Sequence, residues 1–71
     1  MQTAINLRFS KRLQELRKKH KYTQQELADL AGVGYKHYQR YEGENPPLAK
    51  LDFIEKIAKA FKMSPSKLLD F

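Results

Sequence analysis

Five side chains between Tyr35 and Arg40 are suited to reading flat, polar edges: Tyr35, Lys36, His37, Gln39 and Arg40. The planar fork of Arg40 can bond the paired acceptors of a guanine edge, Lys36 can donate to the same acceptors, and Gln39 can in principle serve adenine. Tyr35 and His37 add rings with polar tips. This is chemistry of recognition, not of turnover. The sequence offers no nucleophile beside a base, no clustered carboxylates and no phosphate-cradling glycine loop, so nothing points to an enzyme. No cofactor is implied, and two His seventeen positions apart with no Cys do not make a metal site.

Those residues need a frame that holds them outward. Thr23-Gln24-Gln25-Glu26 has the pattern of a capping box and opens a helix whose Leu27, Ala28, Leu30 and Ala31 are expected to face inward. Gly32 ends it, because glycine takes the left-handed terminal conformation cheaply, and Gly34 stands at the cap of the next helix. That helix is expected from about Tyr35 to Glu42. Tyr38 and Tyr41, three apart, lie on its buried side, which leaves Tyr35, Lys36, His37, Gln39 and Arg40 outside. Two short helices joined by Gly32-Val33-Gly34 make a helix-turn-helix over about residues 23–42. Ala28 sits where the pair crosses and Val33 plugs the gap. A helix held this way can enter a major groove with its first residues at the base edges.

Three further helices complete the frame. Phe9, Leu13 and Leu16 recur at steps of four and three in a helix from Asn6, a candidate cap, to His20. Gly43 to Pro47 reads as an irregular loop. Residues 50–61 form a fourth helix expected to bury Leu51, Ile54, Ile57, Ala58 and Phe61. Ser64-Pro65 caps and starts a short fifth helix through Leu69. The expected architecture is all-α: five short helices in a single domain over residues 1–71.

Bulk properties agree with a polyanionic partner. The 71 residues carry a net charge of +6, and seven of the fourteen Lys and Arg lie in residues 1–22 against Glu15 alone. Such a surplus suits nucleic acid or an anionic membrane. Phe9, Leu13 and Leu16 are a core stripe rather than a broad membrane-binding face, and no stretch is long enough to cross a bilayer. Together with the absence of Cys, this leads us to expect a cytoplasmic protein without a membrane partner.

In order and spacing, "LQELRKK", "TQQELADLAGV", "YQRYEGE", "LDFIEKIAKAF" and "SPSKLL" resemble the XRE-like helix-turn-helix family of phage repressors and Cro, across nearly the whole chain. The resemblance implies a lambda repressor-like domain that binds a double-stranded DNA operator and regulates transcription, as a homodimer on two-fold symmetric sites. It places Tyr35, Lys36, His37 and Arg40 at base-reading positions. Thr23, Gln24, Gly43 and Lys50 fall at phosphate-contacting positions, and Arg17 and Glu42 match a partly buried ion pair that ties the first helix to the end of the third. The chain departs from the pattern at Tyr38, where Ile or Val is common, and at Gly34, where Ser or Thr is usual. Lys21 and Lys62 stand where Gly often ends a helix. The Tyr38 hydroxyl then needs a partner or an exit to water.

Two questions stay open on sequence grounds. Phe53, Leu69 and Phe71 are either core residues or a self-complementary dimer patch. The same fold can also serve as a protein-interaction module, binding a toxin or another regulator through the same helices.

Overall fold

The computed structural model describes residues 4–71. Five helices follow in order: α1 Ala4–Lys19, α2 Gln24–Ala31, α3 Tyr35–Tyr41, α4 Leu51–Ala60 and α5 Pro65–Leu68. There is no strand among the described residues, and the fold class is all-α, as the helical periodicities require. One core gathers residues from every helix, with Leu13, Leu27, Tyr38, Ile57 and Leu68 fully enclosed at its centre. No helix among the described residues is long and apolar enough to cross a membrane.

The first helix begins at Ala4, so Asn6 lies inside it and is not its cap. Nothing in Ala4-Ile5 opposes helical dihedrals, which lets the helix extend upstream of the first core residue, Phe9. Its basic last turn, Arg17-Lys18-Lys19, meets the negative end of the helix dipole. Lys21 then takes φ 59°, with Tyr22 N–H returning to Arg17 O at 3.0 Å. Lys62 repeats the device after α4 at φ 58°, with Met63 N–H on Ala58 O at 2.9 Å. Each side chain in that left-handed conformation costs about 1 kcal/mol locally.

At the start of α2, Thr23 Oγ1 accepts from Glu26 N–H at 3.0 Å and Glu26 Oε1 accepts from Thr23 N–H at 2.8 Å, so both halves of the capping box form. Gly32 closes the helix at φ 72°, and Val33 N–H reaches back to Ala28 O at 3.0 Å. A methyl group at Gly32 would meet nothing within 4 Å. Gly32→Ala should therefore lower stability by about 1 kcal/mol through backbone strain alone, read as a shift of the denaturant midpoint at constant m-value.

Two inward assignments made from periodicity are corrected. Leu30 is 58% exposed: at 100° per residue it lies roughly 100° from Ala31, beyond the reach of the neighbouring helices. Leu51 is 85% exposed, and Phe53 takes the core position instead. Measured around α4 from the fully buried Ile57, Phe53 lies at roughly 40° and Leu51 at roughly 120°. Phe53 stacks on Tyr41 with centroids 3.8 Å apart and meets the edge of Phe9 at 6.5 Å. Tyr22 lies nearly parallel to Phe61, with His20 stacked on Tyr22 and tilted against Phe61.

The chain's last turn is held by α1. Arg12 donates to Leu68 O at 3.1 Å and Lys67 O at 2.9 Å, and Arg8 donates to Phe71 O at 2.8 Å. Ser64 caps α5 by accepting from Lys67 N–H, with Pro65 at its first position. Part of the basic surplus near the N-terminus is thus engaged by carbonyl groups of the chain's last residues.

Candidate nucleic-acid interface

α2 and α3 pack as the two arms of a helix-turn-helix. Ala28 is fully buried at their crossing and Val33 packs against the core from the turn. Gly34 opens α3 in an extended conformation with no side-chain cap, and Tyr38 N–H bonds back to its carbonyl at 2.9 Å. With Tyr38 and Tyr41 turned into the core, the opposite face of α3 is left outside.

That face carries the residues singled out in the sequence. Tyr35 begins the helix at 38% exposure, and Lys36, His37 and Arg40 are exposed beside it. The His37 ring stands edge-on to Tyr41 at 5.2 Å and to Phe53 at 6.0 Å, so its direction is set by the aromatic core beneath. His37 also borders a hollow shared with the turn residues Gly32 to Gly34, with Lys50 at the start of α4 and with Lys56 in its middle. Lys50 is exposed at the position capping α4 and makes no side-chain cap bond. Lys56 is a cation that the sequence reading did not select. Its place beside His37 depends on how α4 crosses α3, which periodicity along one helix does not encode.

Thr23 and Gly43 bracket this surface. The Thr23 hydroxyl is engaged in its capping bond, while Gly43 is exposed just past α3 and its N–H reaches Arg40 O at 3.3 Å. Gln24 is half-buried, with its amide turned toward Glu42.

Glu42 is the hub behind the surface. Arg17 binds it two-pronged, Nε to Oε2 at 2.7 Å and an Nη2 donor to Oε1 at 3.0 Å, with the two side chains 15% and 4% exposed. Tyr38 donates its hydroxyl to Oε2, and Gln24 donates to Oε1 at 3.1 Å. Arg17 also donates to Tyr22 O at 2.9 Å. Burial pushes the Glu42 carboxyl up, but the hydrogen bonds from Arg17, Tyr38 and Gln24 outweigh it and hold the group below the ordinary carboxylate value. The same hydrogen bond to Glu42 raises Arg17 against its own desolvation. Tyr38 is raised by burial first, by its hydrogen bond to Glu42 second and by the Glu42 charge third, so its hydroxyl keeps its proton. This answers the sequence's question about where a phenol beneath α3 finds its partner: on the carboxylate one turn along.

Comparisons place this geometry among known proteins. The helix-turn-helix family model matches residues 13–68. An uncharacterized HTH-type transcriptional regulator of Bacillus subtilis (strain 168), YobD, is 39% identical over 51 residues, which span 69% of this chain and 46% of that protein. The chain thus covers about half the length of that curated relative. In structure it resembles the restriction-modification controller protein C.AhdI of Aeromonas hydrophila, with a TM-score of 0.85 and 30% identity over 93% of this chain and 98% of the other. A family match over most of the chain, from within α1 to the end of α5, makes this protein a member of the helix-turn-helix family.

Proposed function

We propose that this chain binds double-stranded DNA sequence-specifically and regulates transcription, with α3 in the major groove. The observation that carries the reading is the exposure of Lys36, His37 and Arg40 together on the outer face of α3, beside Tyr35, while Tyr38 and Tyr41 anchor that helix in the core. In this reading Tyr35, Lys36, His37 and Arg40 meet base edges. Thr23, Gln24, Gly43 and Lys50 meet the phosphates on either side, Thr23 and Gln24 through the backbone end of α2. Residues 1–71 act as one cytoplasmic binding domain, and the activity is recognition rather than catalysis.

Binding to a two-fold operator places two copies on one site. Phe53 is 4% exposed and belongs to the core, so it is no part of a dimer surface. Leu69 and Phe71 remain partly exposed and line an apolar groove with Ile5, Leu48 and Ile54, which suits a self-complementary contact. A strict monomer at micromolar concentration, with and without DNA, would contradict dimeric binding.

A gel-shift titration in salt tests the reading as a whole. With about six phosphates neutralised, log affinity should fall against log salt with a slope near −5. Binding to no DNA, or binding indifferent to salt, would favour a protein partner instead. Arg40→Ala should cost about 1–3 kcal/mol on the cognate site and little on random DNA. Equal losses on both would restrict Arg40 to the backbone.

A further inference from the structure

Gln39 falls outside the base-reading positions that the family resemblance implies, yet the hydrogen bonds around it fix its polarity. The Glu42 carboxylate can only accept. Gln24 lies 3.1 Å from Glu42 Oε1, so the Gln24 amide must turn its NH2 toward the carboxylate and its carbonyl away. Gln39 Nε2 then lies 3.4 Å from Gln24 Oε1 and 3.0 Å from the Tyr35 hydroxyl oxygen. Both hydrogens of the Gln39 amide nitrogen are engaged. The Gln39 carbonyl oxygen accepts no hydrogen bond among the described residues, and Tyr35, having accepted from Gln39, keeps its own proton free to donate. An acceptor-only carboxylate beneath α3 thus dictates, through two amides, which atoms the surface presents.

We propose that Tyr35 and Gln39 read DNA as a fixed donor–acceptor pair: the Tyr35 O–H donates to a base acceptor, while Gln39 Oε1 accepts from the exocyclic amine of cytosine or adenine at a neighbouring base pair. The inference rests on α3 entering the major groove, as proposed above. It differs from the bidentate pairing of glutamine with adenine, which requires a free amide N–H that Gln39 no longer has. Gln39 therefore has two roles, as a specificity-determining acceptor and as the positioning residue for the Tyr35 hydroxyl.

Selection from a random DNA pool tests this with the wild type, Tyr35→Phe, Gln39→Ala and Gln39→Glu, all at exposed positions. Thermal melting confirms that each variant is folded. The wild type should select an acceptor base next to cytosine or adenine within each half-site. Tyr35→Phe should relax the acceptor position alone, by about three- to tenfold in preference, the range of a single hydrogen bond. Gln39→Ala should relax both positions. Gln39→Glu should keep the amine preference and lose the acceptor preference, because its carboxylate can only take the Tyr35 proton. If Gln39→Ala leaves both preferences of the wild type intact, or Gln39→Glu matches Gln39→Ala, the paired reading is wrong while α3 remains the reader. If the wild type selects no sequence at all, the proposed function fails and the pair with it.

Discussion

Glu42→Ala should lower the unfolding free energy by about 3–5 kcal/mol, the cost of removing one partner from a buried ion pair. The loss has three sources. Arg17, with a side chain only 15% exposed, keeps its charge without its carboxylate. The Tyr38 hydroxyl is stranded beneath a fully buried ring, and the Gln24 amide loses its acceptor. For a domain of this size each kcal/mol moves the melting temperature by roughly 4–8 °C, so the variant should melt more than 12 °C lower. Glu42→Gln should fall between, because the amide keeps an acceptor oxygen but no charge. An unchanged melting temperature in Glu42→Ala would show that the pair is not buried.

The same group sets an acid limit. The folded state holds the Glu42 carboxyl below its ordinary value, so in acid the unfolded chain binds the proton more readily than the folded one. Stability therefore rises with pH across this window. The contribution is complete at neutral pH and fades as pH drops below about 4.3, the ordinary glutamate value, through the depressed folded value. Glu42→Gln should remove that part of the acid dependence, seen by comparing denaturation midpoints at neutral and acidic pH.

Phe53→Ala should cost about 3–5 kcal/mol, the range for deleting a buried aromatic ring. Phe53 is 4% exposed, stacked on Tyr41 and edge-on to His37, so its removal opens a cavity directly under the proposed reading helix. Leu51→Ala, at an 85% exposed position, should stay within about 0.5 kcal/mol. The opposite ranking, measured by urea unfolding, would restore the register that periodicity alone suggested for α4.

That register shows where the sequence stops being informative. Leu51, Ile54, Ile57, Ala58 and Phe61 fit a helical stripe, but Phe53 with Ile57 and Phe61 fits one equally well, shifted around the same helix. Choosing between them needs the direction from which α3 approaches, and Tyr41 supplies it by stacking on Phe53. Leu30 failed for the same reason. By contrast, the capping box at Thr23, the left-handed Gly32 and the inward Tyr38 and Tyr41 are local matters of backbone chemistry and spacing, and all were legible. At the surface, spacing was enough to leave Lys36, His37 and Arg40 outside. The need of the Tyr38 hydroxyl for a partner could be seen in the sequence, whereas the convergence of Arg17, Tyr38 and Gln24 on one carboxylate could not, because it joins three helices. Gln39 was undervalued for the same cause: its polarity is imposed from Glu42 through Gln24, across the gap between α2 and α3.

The most direct test places the protein on a selected operator and records intermolecular nuclear Overhauser effects. Side-chain protons of Tyr35, Lys36 and Arg40 should show contacts to cytosine H5 and thymine methyl protons, which line the major groove. Contacts from these residues to sugar protons alone, or none while other surfaces of the domain touch the duplex, would contradict the account.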